Sequence, residues 1–232
     1  FTGTSTLDFS LADVVVIDNT TGSEHSDMRN AIVKFKLNIG EGKTAVVLPV
    51  DLTADEVTAL FGDGAEVSAF SSSWTNGGNL HLVFQLVDTD ENGILIKAGK
   101  PYLLDVKSAA SAIRLRGKDV KGEIVADRND DAEIGGTYTG MEKAEGMFLL
   151  EEGTFLKAKR RADESSKVAP YSAYVKVLDP SITTISYSVG THTGVEEIEV
   201  EETETVIYNL QGIRVDNPQP GIYICLLYTS PS

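Results

Sequence analysis

Residues 44–62 read TAVVLPVDLTADEVTALFG, and their punctuation decides the fold class. The β-favouring run from Ala45 to Leu48 stops at Pro49. Proline has no N–H to give a ladder, so a strand ends there or lies at an edge. Thr53 followed by Glu56 is a capping box: the hydroxyl takes one unpaired helix N–H and the carboxylate reaches back for another. Val57, Leu60 and Phe61 share one helical face, and Gly62 can supply the positive-φ stop. The spacing predicts one helix of about two to three turns. It is expected to plug one end of a β core, because the rest of the chain is patterned like strands.

Upstream, Leu7, Phe9 and Leu11 alternate, Val14 to Ile17 is a continuous apolar run, and residues 19–22 (NTTG) signal a turn. Ala31 to Ile39 alternates, and Gly40 to Lys43 is a tight connection, so these flanking runs are expected to form a hairpin. Downstream, Ala65 to Phe70 reads as a short strand. Ser71 to Gly78 reads as a Ser/Gly/Asn loop carrying Trp74. Leu80, Leu82, Phe84 and Leu86 alternate again. Further strands are expected at Ile94 to Ile96, Tyr102 to Val106, Asp119 to Ala126, Gly136 to Tyr138, Gly146 to Leu150, Gly153 to Ala158 and Ala169 to Val177, with Glu151 to Gly153 a hairpin-like turn between two apolar runs. Pro180 marks a boundary. Val195 to Glu204 carries six Glu and no base, the pattern of a self-repelling linker.

Composition narrows the function classes. The chain has 232 residues, 41% hydrophobic, enough for a real core. Its net charge of -15 disfavours phosphate backbones and anionic lipid, so neither nucleic acid nor membrane insertion is expected. No apolar run reaches the roughly 20 residues that span a bilayer. The chain begins at Phe1 and is expected to be cut from something longer, so a missing signal peptide carries no weight. Cys225 stands alone, which excludes an internal disulfide.

The chemical motifs are incomplete. Asp88, Asp90, Asn92 and Gly93 open like a calcium loop, but Gly99 sits where the bidentate Glu belongs, so an acidic turn is the plainer reading. Gly42-Lys43-Thr44 lacks the first Gly of a phosphate loop. His25, His81 and His192 have no neighbour at metal-ligand spacing, and Ser71 to Ser73 has no nucleophile-elbow context. No catalytic residue, metal or cofactor is expected. Trp74 is the candidate ligand-binding residue, since an aromatic on a Gly/Ser loop can stack on sugar rings. The plainer reading is a hairpin-tip Trp that folds back onto the sheet.

Three stretches carry a resemblance. VVLPVDLTADEVTALFGDGAEVSAF (46–70) with IKAGKPYLL (96–104) resembles a β-rich module of secreted Bacteroidales proteins. GTYTGMEKAEGMFLLEEGTFLKA (136–158) with VAPYSAYVKV (168–177) looks like its second half. VIYNLQGIRVDNPQPGIYI (206–224) is similar to the type A sorting domain read by the Por (type IX) secretion system. Tyr208, Leu210, Gly212, Val215, Pro218, Gly221, Ile222 and Tyr223 fall in that domain's order. The resemblance implies secretion machinery and cell-surface or glycan ligands as partners, and an extracellular or outer-membrane surface location. A short basic strand should follow; residues 225–232 read CLLYTSPS instead, which looks like a translated transposase adapter and is expected to be library sequence.

The expected fold is all-β: an antiparallel, jelly-roll-like sandwich with one short α-helix over 1–180. An acidic linker over 181–204, a truncated sorting-like β appendage over 205–224 and an artefactual tail over 225–232 complete the expectation. Two functions fit: a non-catalytic module of a secreted or surface protein, or the accessory carbohydrate-binding end of a larger carbohydrate-active enzyme. A hydrolase remnant fits less well, for want of an assembled nucleophile or metal set.

Overall fold

The computed structural model describes residues 13–110, 112–142, 144, 146–158 and 167–190, with the backbone of two further short strands. The chain divides into two compact units, Phe1–Thr193 and Gly194–Ser232. The first begins with β1 (Val14–Asp18), β2 (Met28–Lys36), β3 (Gly42–Val47), β4 (Leu52–Thr53) and α1 (Ala54–Phe61). It continues with β5 (Glu66–Asn76), β6 (Asn79–Leu86), β7 (Ile94–Ile96), β8 (Pro101–Val106), β9 (Arg114–Val120) and β10 (Asp127–Arg128). It ends with β11 (Ala132–Thr137), β12 (Phe148–Glu151), β13 (Thr154–Lys157), β14 (Ser172–Val177) and β15 (Thr184–Gly190).

The fold is an all-β sandwich with one helix among the described residues. A three-stranded sheet runs β1-β2-β9. A ten-stranded sheet follows the path β10-β11-β14-β3-β8-β5-β6-β15, with β12 added to β14 and β13 to β12. Strand β8 is central and buried on both faces: Tyr102, Leu104 and Val106 enter one core while Leu103 enters the other. That is why its sequence is a continuous apolar run rather than an alternation. The first core lies between the two sheets and takes Ile17, Val33 and Phe35 together with Val57, Leu60 and Phe61 of α1. The second forms where the long sheet folds over itself. Leu80, Leu82 and Phe84 of β6 pack with Ile134, Phe148, Phe155 and Val175 there, and the Phe84 and Phe155 rings stack at 6.4 Å. A twisted sheet of ten strands curls over in this way because twist accumulates across it, and its path stays open from β10 to β15.

The capping box forms as read. Thr53 Oγ1 accepts the Glu56 N–H (3.3 Å), and Glu56 Oε2 accepts the Thr53 N–H (2.9 Å). Gly62 has φ 94 and donates its N–H to Thr58 O. Glu56 has a second task, since Lys118 Nζ of β9 reaches the same carboxylate and also donates to Asp51 O. The β12–β13 hairpin closes through Glu152 and Gly153, again as read.

Other expectations are corrected. The runs flanking Gly40 to Lys43 do not pair: β2 lies in the three-stranded sheet, while β3 pairs with β8 and β14. The connection crosses between layers, which a short glycine-rich link permits as readily as a hairpin. Ser71 to Asn76 is strand, not loop. The sandwich does not end at Pro180, because Thr184–Gly190 pairs with β6 along its whole length. That pairing is parallel, as is β1 with β2, so the strands are mostly but not wholly antiparallel. The acidic run from Val195 to Glu204 and the leading Leu7, Phe9 and Leu11 lie outside the described residues. In the second unit, β16 (Val206–Tyr208) pairs antiparallel with β17 (Ile224–Leu226), so two residues of the expected tail, Cys225 and Leu226, lie in a strand.

Candidate functional site

Trp74 owes its place to a turn and a bulge. Gly77 and Gly78, both at positive φ (55 and 83), form a two-residue loop between Asn76 and Asn79. Only a turn with left-handed residues matches the strand twist, and glycine supplies it without strain. Counting back from the turn sets Thr75 opposite Leu80 and Trp74 opposite His81. A register shift between Phe70 and Ser72 then reverses the alternation. Phe70 therefore faces inward onto Phe84, whereas Ser72 and Trp74 face outward. Without that irregularity the indole would share the inner face with Phe70.

On the outer face the Trp74 and His81 rings stack at 4.8 Å with planes 28° apart. Trp74 is still 51% exposed, so its opposite face and edge meet solvent. His81 is held on both ring nitrogens by β15: Nδ1 lies 2.9 Å from Ser186 Oγ and Nε2 lies 3.0 Å from Ser188 Oγ. The chain of contacts extends further. Asn79 Nδ2 donates to Ser186 Oγ (2.9 Å), and Thr184 Oγ1 donates to Asn79 Oδ1 (3.0 Å). With the imidazole proton on Nε2, every bond in this ladder runs in one direction and ends at Ser188, whose own hydroxyl proton is free to point outward. The result is an aromatic plate beside a row of fixed hydroxyl and amide groups on an open sheet face. Such a face can hold a flat polar ring by stacking and hydrogen bonds; it does not enclose a reacting bond.

A second constellation joins residues far apart in sequence. His25 Nε2 lies 2.8 Å from Tyr171 Oη and 3.4 Å from Ser23 Oγ, and the two hydroxyls are 3.0 Å apart. The His25 ring meets Tyr138 edge-on. Burial holds the imidazole below its usual pKa and pushes both tyrosines up. Tyr171 is itself buried with φ 57, a costly backbone for a bulky residue, and its carbonyl accepts the Val47 N–H. Each group in the cluster answers another member. It latches the loop after β1 onto the turn before β14.

A cleft of about 730 Å³ runs beside Leu37 to Thr44, Glu152, Tyr171 and Tyr187. The one cation in its described lining, Lys43, is paired with Asp105 outside that lining. The acidic turn holds itself: Asp90 accepts from the Asn92 and Ile94 N–H groups and pairs with Lys97, which keeps its pKa low. Among the described residues no three His, Cys, Asp or Glu groups converge as a metal site. His192 lies outside the described residues. The sequence reading separated His81 from Trp74; the symmetric string WTNGGNLH (74–81) was the signal that pairs them.

Comparison with family models, with curated proteins and with solved structures finds no match to this chain.

Proposed function

We propose that this chain is a non-catalytic module of a secreted or cell-surface bacterial protein, and that its sandwich contacts ligand through the β5–β6–β15 outer face. The one observation that supports the reading is the half-exposed Trp74, fixed against His81 and bordered by the Asn79, Ser186 and Ser188 ladder. A large aromatic left open and rigidly oriented stabilises little in the free protein, and is suited to a ring-shaped partner. The export and attachment role rests on the likeness of residues 206–224 to the type A sorting domain.

The same observation favours a second reading, the accessory carbohydrate-binding end of a larger carbohydrate-active enzyme. Both require sugar contact at Trp74, and they differ in what adjoins the module. A panel of uncharged glycans probed with the chain and with Trp74→Ala tests the shared part: binding that the variant loses supports it, and no binding, or binding the variant retains, overturns it. Turnover of chromogenic glycoside or peptide substrates by the purified chain would overturn the non-catalytic assignment.

A further inference from the structure

The three-stranded sheet turns its outer face to solvent with an arrangement that opposes the rest of the chain. Alternation sends Val15 and Ile17 of β1, and Val33 and Phe35 of β2, into the core. Their neighbours Val14, Val16, Lys34 and Lys36 therefore face out, and Leu115 packing inward places Arg114 and Arg116 out as well. Lys34 and Arg114 are direct cross-strand partners. Like charges at such positions destabilise a sheet. Other cations sit on carboxylates, as with Lys43 on Asp105, Lys97 on Asp90 and Lys118 on Glu56, while Arg29, Lys121 and Lys176 stand singly rather than in a row. Among the described residues Lys34, Lys36, Arg114 and Arg116 have no ion-pair partner. Asp18 is the cross-strand partner of Lys36 and attracts it, while its carboxylate also accepts the N–H and hydroxyl of Thr20. In a chain with 35 acids against 20 bases, a basic row relieved at Lys36 but not at Lys34, Arg114 and Arg116 among the described residues suits a partner of opposite charge.

We propose that this face binds an anionic polysaccharide, a linear glycan bearing carboxylates or sulfates. The shape of the charge selects that class. A planar anionic membrane would approach the whole body, whose net charge of -15 repels it. Nucleic acid meets the same repulsion at high density, about one charge per 1.7 Å of duplex. A single glycan chain can lie along one strip, its charges spread one per sugar. The row fits it: Lys34 and Lys36 are about 6.8 Å apart along β2, with Arg114 one strand spacing of about 4.8 Å away. Val14 and Val16, 50% and 37% exposed, offer methyl groups to the C–H faces of the rings. This surface is separate from Trp74.

The test titrates the purified chain with polygalacturonate, with uncharged dextran, with a single-stranded oligonucleotide and with phosphatidylglycerol vesicles. Polygalacturonate is expected to bind, and to weaken about ten-fold or more between about 50 and 200 mM salt. Lys34→Glu sets opposite charges across the strands, so it should keep or raise Tm while weakening binding about ten-fold or more; Lys36→Gln/Arg116→Gln should weaken binding with Tm unchanged. Trp74→Ala should leave it intact, which separates this surface from the stacking face. Absent binding to polygalacturonate, binding unaffected by both sets of charge variants, or tighter binding to vesicles or oligonucleotide than to polygalacturonate would overturn the proposal.

Discussion

Glu56 does two jobs with one carboxylate, and removing it should cost more than a helix cap alone. Its Oε2 accepts the Thr53 N–H and holds Lys118 Nζ, and the two charged side chains are only 21% and 14% exposed. In Glu56→Ala the reciprocal half of the capping box disappears, about 0.5–1 kcal/mol. Lys118 is then left with the Asp51 carbonyl as its partner. Breaking a fully buried pair costs about 3–5 kcal/mol; partial exposure reduces this to about 2. The sum is about 2.5–3 kcal/mol, a large share of the 5–15 kcal/mol typical of a domain. Glu56→Gln keeps the cap and loses only the charge, so it should fall between wild type and Glu56→Ala. Urea unfolding followed by far-UV circular dichroism measures each, and Lys118→Met completes a cycle with an expected coupling of about 1–2 kcal/mol. A loss below about 0.5 kcal/mol in Glu56→Ala, or strict additivity with Lys118→Met, would refute the claim that this ion pair bolts the helix to the three-stranded sheet.

Three further outcomes follow from named groups. His25 has a folded pKa below its ordinary 6.5, so the unfolded state protonates first as pH falls. Stability contributed by the neutral imidazole is complete above about pH 6.5 and lost below it, through the folded pKa, and His25→Phe should flatten that part of the Tm profile. Gly62→Ala would bring a Cβ to 2.6 Å from Ser108 Oγ and 2.8 Å from its backbone N at φ 94, and should destabilise by about 2 kcal/mol or more in the same urea assay. His81→Ala removes the stack under Trp74 and the centre of the ladder. It should change stability by less than about 1 kcal/mol, as befits a surface site, yet weaken glycan binding measured by calorimetry.

What was legible in the sequence was local. The capping box and the Glu152–Gly153 hairpin depend on residues within a few positions of each other, and both formed as read. Long-range choices were not legible. The glycine-rich link after β2 looks the same whether it returns in one sheet or crosses to another, and here it crosses. Ser71 to Asn76 has loop composition because its outward residues meet water and its inward Ser73 is bound by Asn129 and Asp131 at the core's rim. Trp74 was singled out for its chemistry, but its exposure depends on an irregularity that composition does not announce. The Ser23–His25–Tyr171 latch spans 148 positions from end to end, beyond any motif.

The most direct test of the account is calorimetric titration of a panel of uncharged glycans into the chain and into Trp74→Ala. Covering the open half of an indole, about 100 Å², is worth about 2.5 kcal/mol before ordering costs, so truncation should weaken binding about ten-fold or more. Saturable binding to at least one glycan, lost in Trp74→Ala with Tm unchanged, is the predicted result; no saturable binding, or equal affinity for both proteins, contradicts the assignment of this face.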